Sequence, residues 1–114
     1  MLLLLMVTVL EYIDQTDRSP YRVWFDRLNA TAAAKVAVAL TRLHQGNLGN
    51  TKGVGGGVYE YRIDFGPGYR VYFGKDGDQV VILVGGGTKQ RQQQDIRTAI
   101  GRWHDYKQRK SLGR

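Results

Sequence analysis

Six residues between positions 52 and 91 carry groups suited to phosphate chemistry: Lys52, Arg62, Arg70, Tyr72, Lys89 and Arg91. Cations gathered in one cleft suit a phosphodiester, because its pentacovalent transition state concentrates negative charge that fixed cations stabilise. Each of the six also has a purely structural reading. Glu60 can pair with Arg62, and a cross-strand Asp64 can pair with Arg70. Tyr72, if exposed beside these cations, can stack on a nucleobase. Lys52 lies in a glycine-rich loop, and Lys89 and Arg91 lie at the opposite rim of the same face if the sheet is concave.

Other chemistries are excluded by what is missing. The chain has no cysteine, which removes disulfides, thiolate zinc sites and a catalytic thiol. His44 and His104 are the two histidines, so no metal site is expected. His44 reads as a surface or capping residue, and no Ser-His-Asp or paired-carboxylate arrangement occurs. Gly85-Gly86-Gly87 before Thr88 and Lys89 resembles a phosphate-binding turn at a helix start. No GxxxxGK[ST] occurs, and Gly53–Gly57 fails GxGxxG because Val58 stands in the last glycine's place. No cofactor is expected.

The elements that must position these groups follow from periodicity. Val7, Thr8, Val9, Tyr12 and Ile13 favour a first strand. Ser19-Pro20 opens a helix over about 20–29, with Tyr21, Trp24, Phe25 and Leu28 at helical spacing. Thr31 caps a second helix striped by Ala33, Val36, Ala37, Leu40 and Leu43, and Gly46 stops it. In Tyr59–Phe65 the residues Tyr59, Tyr61, Ile63 and Phe65 alternate with Glu60, Arg62 and Asp64, as a half-buried strand requires.

Tyr69–Phe73 and Gln79–Val84 complete an antiparallel meander, with turns at Gly66-Pro67-Gly68 and Asp76-Gly77. Those turn lengths predict Phe65 opposite Tyr69, Arg62 opposite Tyr72, and Tyr72 opposite Val81. The polar face then carries Glu60, Arg62, Asp64, Arg70 and Tyr72 over a floor of Val81 and Leu83. Ile96, Ala99, Ile100 and Trp103 stripe a last helix. The expectation is one α+β domain over 1–114, β-α-α-β-β-β-α, with a helical hairpin covering one face of the meander.

The 114 residues carry 17 Lys+Arg against 10 Asp+Glu, a formal charge of +7. Residues 1–87 hold nine basic and eight acidic side chains, while 88–114 hold eight basic against Asp95 and Asp105, a net of +6. That split leaves a solvated helix or a footprint for a polyanion, with 107–114 as a basic tail. Leu2–Leu10 is far short of the ~20 residues that a membrane helix needs. It also lacks the features of a signal peptide, so a cytoplasmic protein is expected, with no membrane partner. Met6 is an alternative start that would make Met1–Leu5 an N-terminal extension.

The run Tyr61-Arg62-Ile63-Asp64-Phe65-Gly66-Pro67-Gly68-Tyr69-Arg70-Val71-Tyr72-Phe73 resembles the middle of the RelE/ParE superfamily toxins. Leu83–Lys89 with Asp95-Ile96, and Gly46–Asn50 ahead of Lys52, are similar to the phage-derived, HigB-like addiction module killer protein branch. The resemblance covers about residues 7–105 and implies a RelE-like fold. It further implies the toxin of a type II toxin–antitoxin pair, cutting mRNA in the ribosomal A site without metal, by 2′-hydroxyl attack on the adjacent phosphate. On that likeness Arg62 and Lys89 stabilise the scissile phosphate, and Lys52 helps activate the nucleophile. Arg70 supports the site, and Arg91 is a second phosphate contact. Where some RNA-cleaving relatives carry a tyrosine, this chain has Asp95. The implied partners are a cognate antitoxin and, through the basic last helix, ribosomal RNA. A ParE-like gyrase poison and a non-catalytic nucleic-acid or partner-binding module are the alternatives on the same fold.

Overall fold

Alternating apolar residues need cover on both sides once a sheet has two apolar faces, and here each face has its own helices. The computed structural model describes residues 6–113. The proposed extension Met1–Leu5 and the last tail residue Arg114 lie outside that range. The elements are β1 (Thr8–Glu11), α1 (Pro20–Asp26), α2 (Ala30–His44), β2 (Thr51–Gly55), β3 (Val58–Ile63), β4 (Tyr69–Lys75), β5 (Val80–Thr88), a 3-10 turn (Lys89–Arg91) and α3 (Gln92–Ser111). They form an α+β fold whose five-stranded mixed sheet runs β1-β5-β4-β3-β2, with β1 parallel to β5 and the other pairs antiparallel. At this coarse level it fits a RelE-like fold.

One face packs Tyr61, Ile63, Val71, Phe73, Val81 and Leu83 against Tyr21 of α1 and Val36, Ala39 and Leu43 of α2. The other packs Val58, Tyr72, Ile82 and Val84 against Ala99 and Trp103 of α3. The hairpin of helices therefore covers one face as expected, and α3 covers part of the second. The Ser19 hydroxyl accepts from Arg22 N at the start of α1, with Pro20 at the first helical position. At α2 the cap is Asn29 rather than the expected Thr31: its extended backbone lets Oδ1 accept from Ala32 N at 2.9 Å.

Three further corrections concern the sheet. The loop carrying Lys52 is an edge strand, β2, so the order gains a strand between α2 and the meander. The β3–β4 connection is five residues long, and Ile63 pairs with Tyr69, Arg62 with Arg70 and Glu60 with Tyr72. That slip of two keeps every side chain on its expected face. The β4–β5 turn is also longer, with Asp76 N donating to Val80 O at 2.9 Å, and a bulge intervenes between Tyr72 and Phe73. Phe73 therefore meets Leu83, and Val81 and Leu83 turn into the α1–α2 core instead of flooring the polar face.

Gly85-Gly86-Gly87 is not a turn but the end of β5. A Cβ on Gly86 would fall 2.3 Å from the Trp24 indole, one on Gly85 2.7 Å from Arg102 Nη1, and one on Gly87 2.0 Å from Asp95 Oδ2. Gly74 on β4 bears the Trp103 ring in the same way, at 2.3 Å. These absent side chains let α1 and α3 close on the sheet from opposite sides. Gly74→Ala is expected to lower stability by about 1–3 kcal/mol through overpacking. Gly101→Ala, in open space on α3, is expected to raise it by about 0.5–1 kcal/mol. Thermal unfolding of the two variants, moving in opposite directions from the parent, checks the close approach.

Candidate functional site

Side chains alternate along a strand, so Glu60 and Arg62 of β3 share a face with their register partners. Two rows cross that face. One runs Lys52, Glu60, Tyr72, Gly85; the other runs Arg62, Arg70, Gly87. The first turn of α3 lies over these rows, with Gln92 reaching Glu60 and Asp95 standing against Gly87, and it leaves Lys52 and Arg62 uncovered. Lys52 and Arg62 are exposed, whereas Glu60, Arg70 and Tyr72 are buried.

The residue that organises the rows is Glu60, whose side chain is wholly buried. Its Oε1 lies 3.2 Å from Arg70 Nε and accepts from Gln92 Nε2 at 2.7 Å and from the Tyr72 hydroxyl at 3.5 Å. Its Oε2 has Lys52 Nζ at 4.0 Å and no hydrogen-bond partner. Arg70 is further fixed by Nη1 donating to Gly68 O at 2.9 Å. Arg70 therefore pairs with Glu60, not with the expected Asp64, because the longer turn moves Asp64 off the strand. Glu60 thus answers Arg70 rather than Arg62, the partner open to it by strand spacing, and Gln92, whose helical position carries no signal of its target, completes the group.

Tyr72 needs the plainest correction. It is 1% exposed and packed under α3, so no base can stack on it. Burial, with the Glu60 charge beside it, pushes its hydroxyl well above the ordinary tyrosine range. Lys89 is exposed at the start of the 3-10 turn, and its backbone N donates to Gly68 O at 2.9 Å, on the loop that also holds Arg70. Lys52, Arg62 and Lys89 thus surround the buried Glu60–Arg70 pair. Among the described residues no carboxylate lies within ion-pair distance of Arg62 or Lys89.

Arg91 is exposed two residues beyond Lys89 and lines a separate cavity between α1 and α3. Asp95 lines it as well, with its carboxylate against the Gly87 backbone. Burial pushes the Asp95 carboxyl above the usual range, partly opposed by Arg91 and Arg102. Among the described residues no group of three or more His, Cys, Asp or Glu could hold a metal ion, and no helix is long and apolar enough to cross a membrane.

The family described as Phage derived protein Gp49-like (DUF891) matches residues 23–104, a span that holds every residue of both rows. The chain belongs to this family. Gp49-like proteins are a toxin-like family related to RelE/ParE. A Haemophilus influenzae (strain Rd) protein described as an uncharacterized protein is 44% identical over 77 residues, covering 67% of this chain and 78% of that relative.

In this Gp49-like chain the basic last helix is partly committed to its own fold. Arg102 Nη1 donates to Val84 O, and Arg109 pairs with Asp105, which also accepts from the Tyr12 hydroxyl at 2.7 Å. Lys110 pairs with Asp76, which accepts from the Tyr106 hydroxyl at 2.7 Å. The Lys110 ammonium and the Tyr106 hydroxyl hold the Asp76 carboxyl below the usual range, and the Tyr12 hydroxyl and Arg109 do the same for Asp105. A depressed folded value means stability that is present above about pH 4 and lost as the pH falls through the folded values. Thermal melts from pH 7 to 2.5 are expected to show this acid limb, and Asp76→Asn with Asp105→Asn is expected to flatten it. Separately, Glu60→Ala strands the buried Arg70 and is expected to cost about 3–5 kcal/mol in denaturant unfolding.

Proposed function

We propose that this Gp49-like protein is the toxin of a type II toxin–antitoxin pair and cleaves mRNA in the ribosomal A site. What supports the reading is the open group Lys52, Arg62 and Lys89 around a buried pair that fixes their strands, in a family related to RelE/ParE. Arg62 and Lys89 are solvated and, among the described residues, outside any ion pair, and Lys52 stays exposed at 4.0 Å from Glu60 Oε2, so these cations are available to a ligand, whereas Arg70 is spent on Glu60. In the proposed reaction the ribose 2′-oxygen attacks the adjacent phosphorus and the P–O5′ bond breaks. The products are a 2′,3′-cyclic phosphate and a 5′-hydroxyl, with one proton lost from the 2′-hydroxyl and one gained by O5′.

Arg62 and Lys89 neutralise the non-bridging oxygens as charge builds in the transition state. Lys52, held beside Glu60 Oε2, favours the developing 2′-oxyanion electrostatically. Arg91 contacts a neighbouring phosphate, and Arg70 keeps β3, β4 and the Gly68 loop in register. The chemistry needs neither metal nor cofactor. A cognate antitoxin would silence the site by placing acidic side chains over the exposed Lys52, Arg62 and Lys89 or over the exposed cations of α3. Those α3 cations are also the ones that would meet ribosomal RNA, and the reaction places the protein in the cytoplasm.

Expression from a tightly controlled promoter, with RNA ends mapped across the transcriptome, tests the reading. New 5′-hydroxyl ends within translated codons are expected during growth arrest; intact transcripts would overturn the endonuclease. Arg62→Ala and Lys89→Ala are each expected to lower cleavage about 100-fold or more, since a single oxyanion-stabilising group typically contributes that much. The ParE-like alternative is separated by supercoiling assays with gyrase, which are expected to show no inhibition.

A further inference from the structure

The cavity between α1 and α3 has a composition that the fold does not use. It encloses about 490 Å³, within the range of small-ligand sites. Arg18, Arg27, Arg91 and Arg102 line it together with Asp95 and Trp24. Among the described residues, Arg18, Arg27, Arg91 and Asp95 form no ion pair, although they share one cavity. Arg102 is spent on Val84 O, and the second acid in the lining, Asp14, is spent on Thr16. Three arginines outside any ion pair, a carboxylate that feels Arg91 and Arg102 only at longer range, and an indole in one concavity ask for a ligand that is anionic at one end and a planar hydrogen-bond donor at the other.

A nucleotide is such a ligand. Its phosphate suits guanidinium groups, and its base can stack on an aromatic ring and be read along its Watson–Crick edge. An ionised carboxylate only accepts, so it selects bases that present N–H groups. Guanine presents N1–H and N2–H side by side, matching two carboxylate oxygens; adenine and cytosine offer one amino group, and uracil one imino proton. An acidic peptide fits less well, because Asp14 and Asp95 stand in the same lining.

The cavity also adjoins the cationic cluster. Gly87, under Asp95, ends the row that begins at Arg62 and Arg70, two strand spacings or about 10 Å away. The turn Lys89–Arg91 joins the two places, with Lys89 at the cluster and Arg91 in the cavity wall. We propose that this cavity is a guanine-selective nucleotide subsite, in which Trp24 takes the stacking role that the buried Tyr72 cannot fill. The inference rests on the RNA reading above and names the base that the same strand presents beside the cleaved phosphate.

Titration of the full chain with 5′-GMP, 5′-AMP, 5′-CMP, 5′-UMP and inorganic phosphate, by calorimetry and tryptophan fluorescence, tests it. GMP is expected to bind at least about tenfold tighter than the other nucleotides, with a change in tryptophan emission. Asp95→Asn, nearly isosteric, is expected to remove that preference while the thermal melt stays cooperative. Equal binding of all four nucleotides and phosphate would overturn base selection and leave an anion hole. No binding, or tighter binding of hexaglutamate than of GMP, would overturn the nucleotide site, the latter in favour of a protein partner. Arg62→Ala and Lys89→Ala are expected to leave GMP affinity within about twofold. GMP binding without RNA cleavage would therefore sink the enzyme reading alone, and cleavage without GMP selectivity would sink the subsite alone.

Discussion

The closeness with which helices can approach a sheet is limited by the first atom of each side chain, and at the end of β5 that atom is missing three times in succession. Gly86 receives the Trp24 indole from one side, while Gly85 and Gly87 receive Arg102 and Asp95 from the other. With Gly74 under Trp103, the same device repeats on the neighbouring strand. A methyl group at Gly74 or Gly86 would press on an indole and hold a helix off the sheet, one at Gly87 would displace the Asp95 carboxylate, and one at Gly85 would meet only the tip of the Arg102 side chain. The depth at which α3 sits then decides what its first turn can reach. Gln92 arrives at Glu60, and Asp95 arrives above the row of Arg62 and Arg70. The charged face is therefore half roofed, and its open side is the one that carries Lys52 and Arg62.

Burial then sorts the cations by role. A charge taken out of water must be paired, and once paired it is rigid and unavailable. Arg70 against Glu60 is of this kind: it ties β3, β4 and the Gly68 loop together. Lys52, Arg62 and Lys89 keep their solvent, so a polyanion can displace it. The last helix divides the same way. Arg102, Arg109 and Lys110 fasten it to β5, to Asp105 beside Tyr12, and to the β4–β5 turn, whereas Arg97 and Lys107 remain exposed. The net charge of this segment exaggerates what it can offer a partner, because part of it is balanced within the fold.

How much of this was legible in the chain depends on the period of each pattern. Helices declared themselves through caps and spacing, and the faces of β3 and β4 survived a register error because a slip of two residues is invisible to a period of two. The same error was not harmless chemically, since it moved Arg70 from Asp64 to Glu60. At β5 a longer turn and a bulge turned Val81 and Leu83 to the opposite face, and a run apolar on both sides held no alternation to reveal it. Tyr72 looked exposed because its strand neighbours are charged; what buries it is a helix that arrives from 20 residues further on. The glycine triplet resembles a phosphate turn in sequence, whereas in the fold its purpose is to be small.

The polarity of the charged row follows from these placements and bears on what it can bind. A uniformly cationic groove attracts any polyanion and reads nothing, because phosphate contacts position a strand without specifying it. Here the row starts with an open guanidinium on β3, passes a buried one on β4 and ends at a carboxylate above β5. That carboxylate is held in a partly desolvated place, and the charges of Arg91 and Arg102 and its position in the first turn of α3 offset only part of that cost, as no cation lies within ion-pair distance of it among the described residues. Structural carboxylates in this chain look different: Asp76, Asp105 and Glu60 each hold two or more partners. An acid left unpaired beside three arginines that are also unpaired is poised for a partner that brings its own donors. The row is thus better matched to a ligand with alternating anionic and hydrogen-bond-donating parts than to bare phosphate, and a single-stranded nucleic acid has that alternation built into every residue.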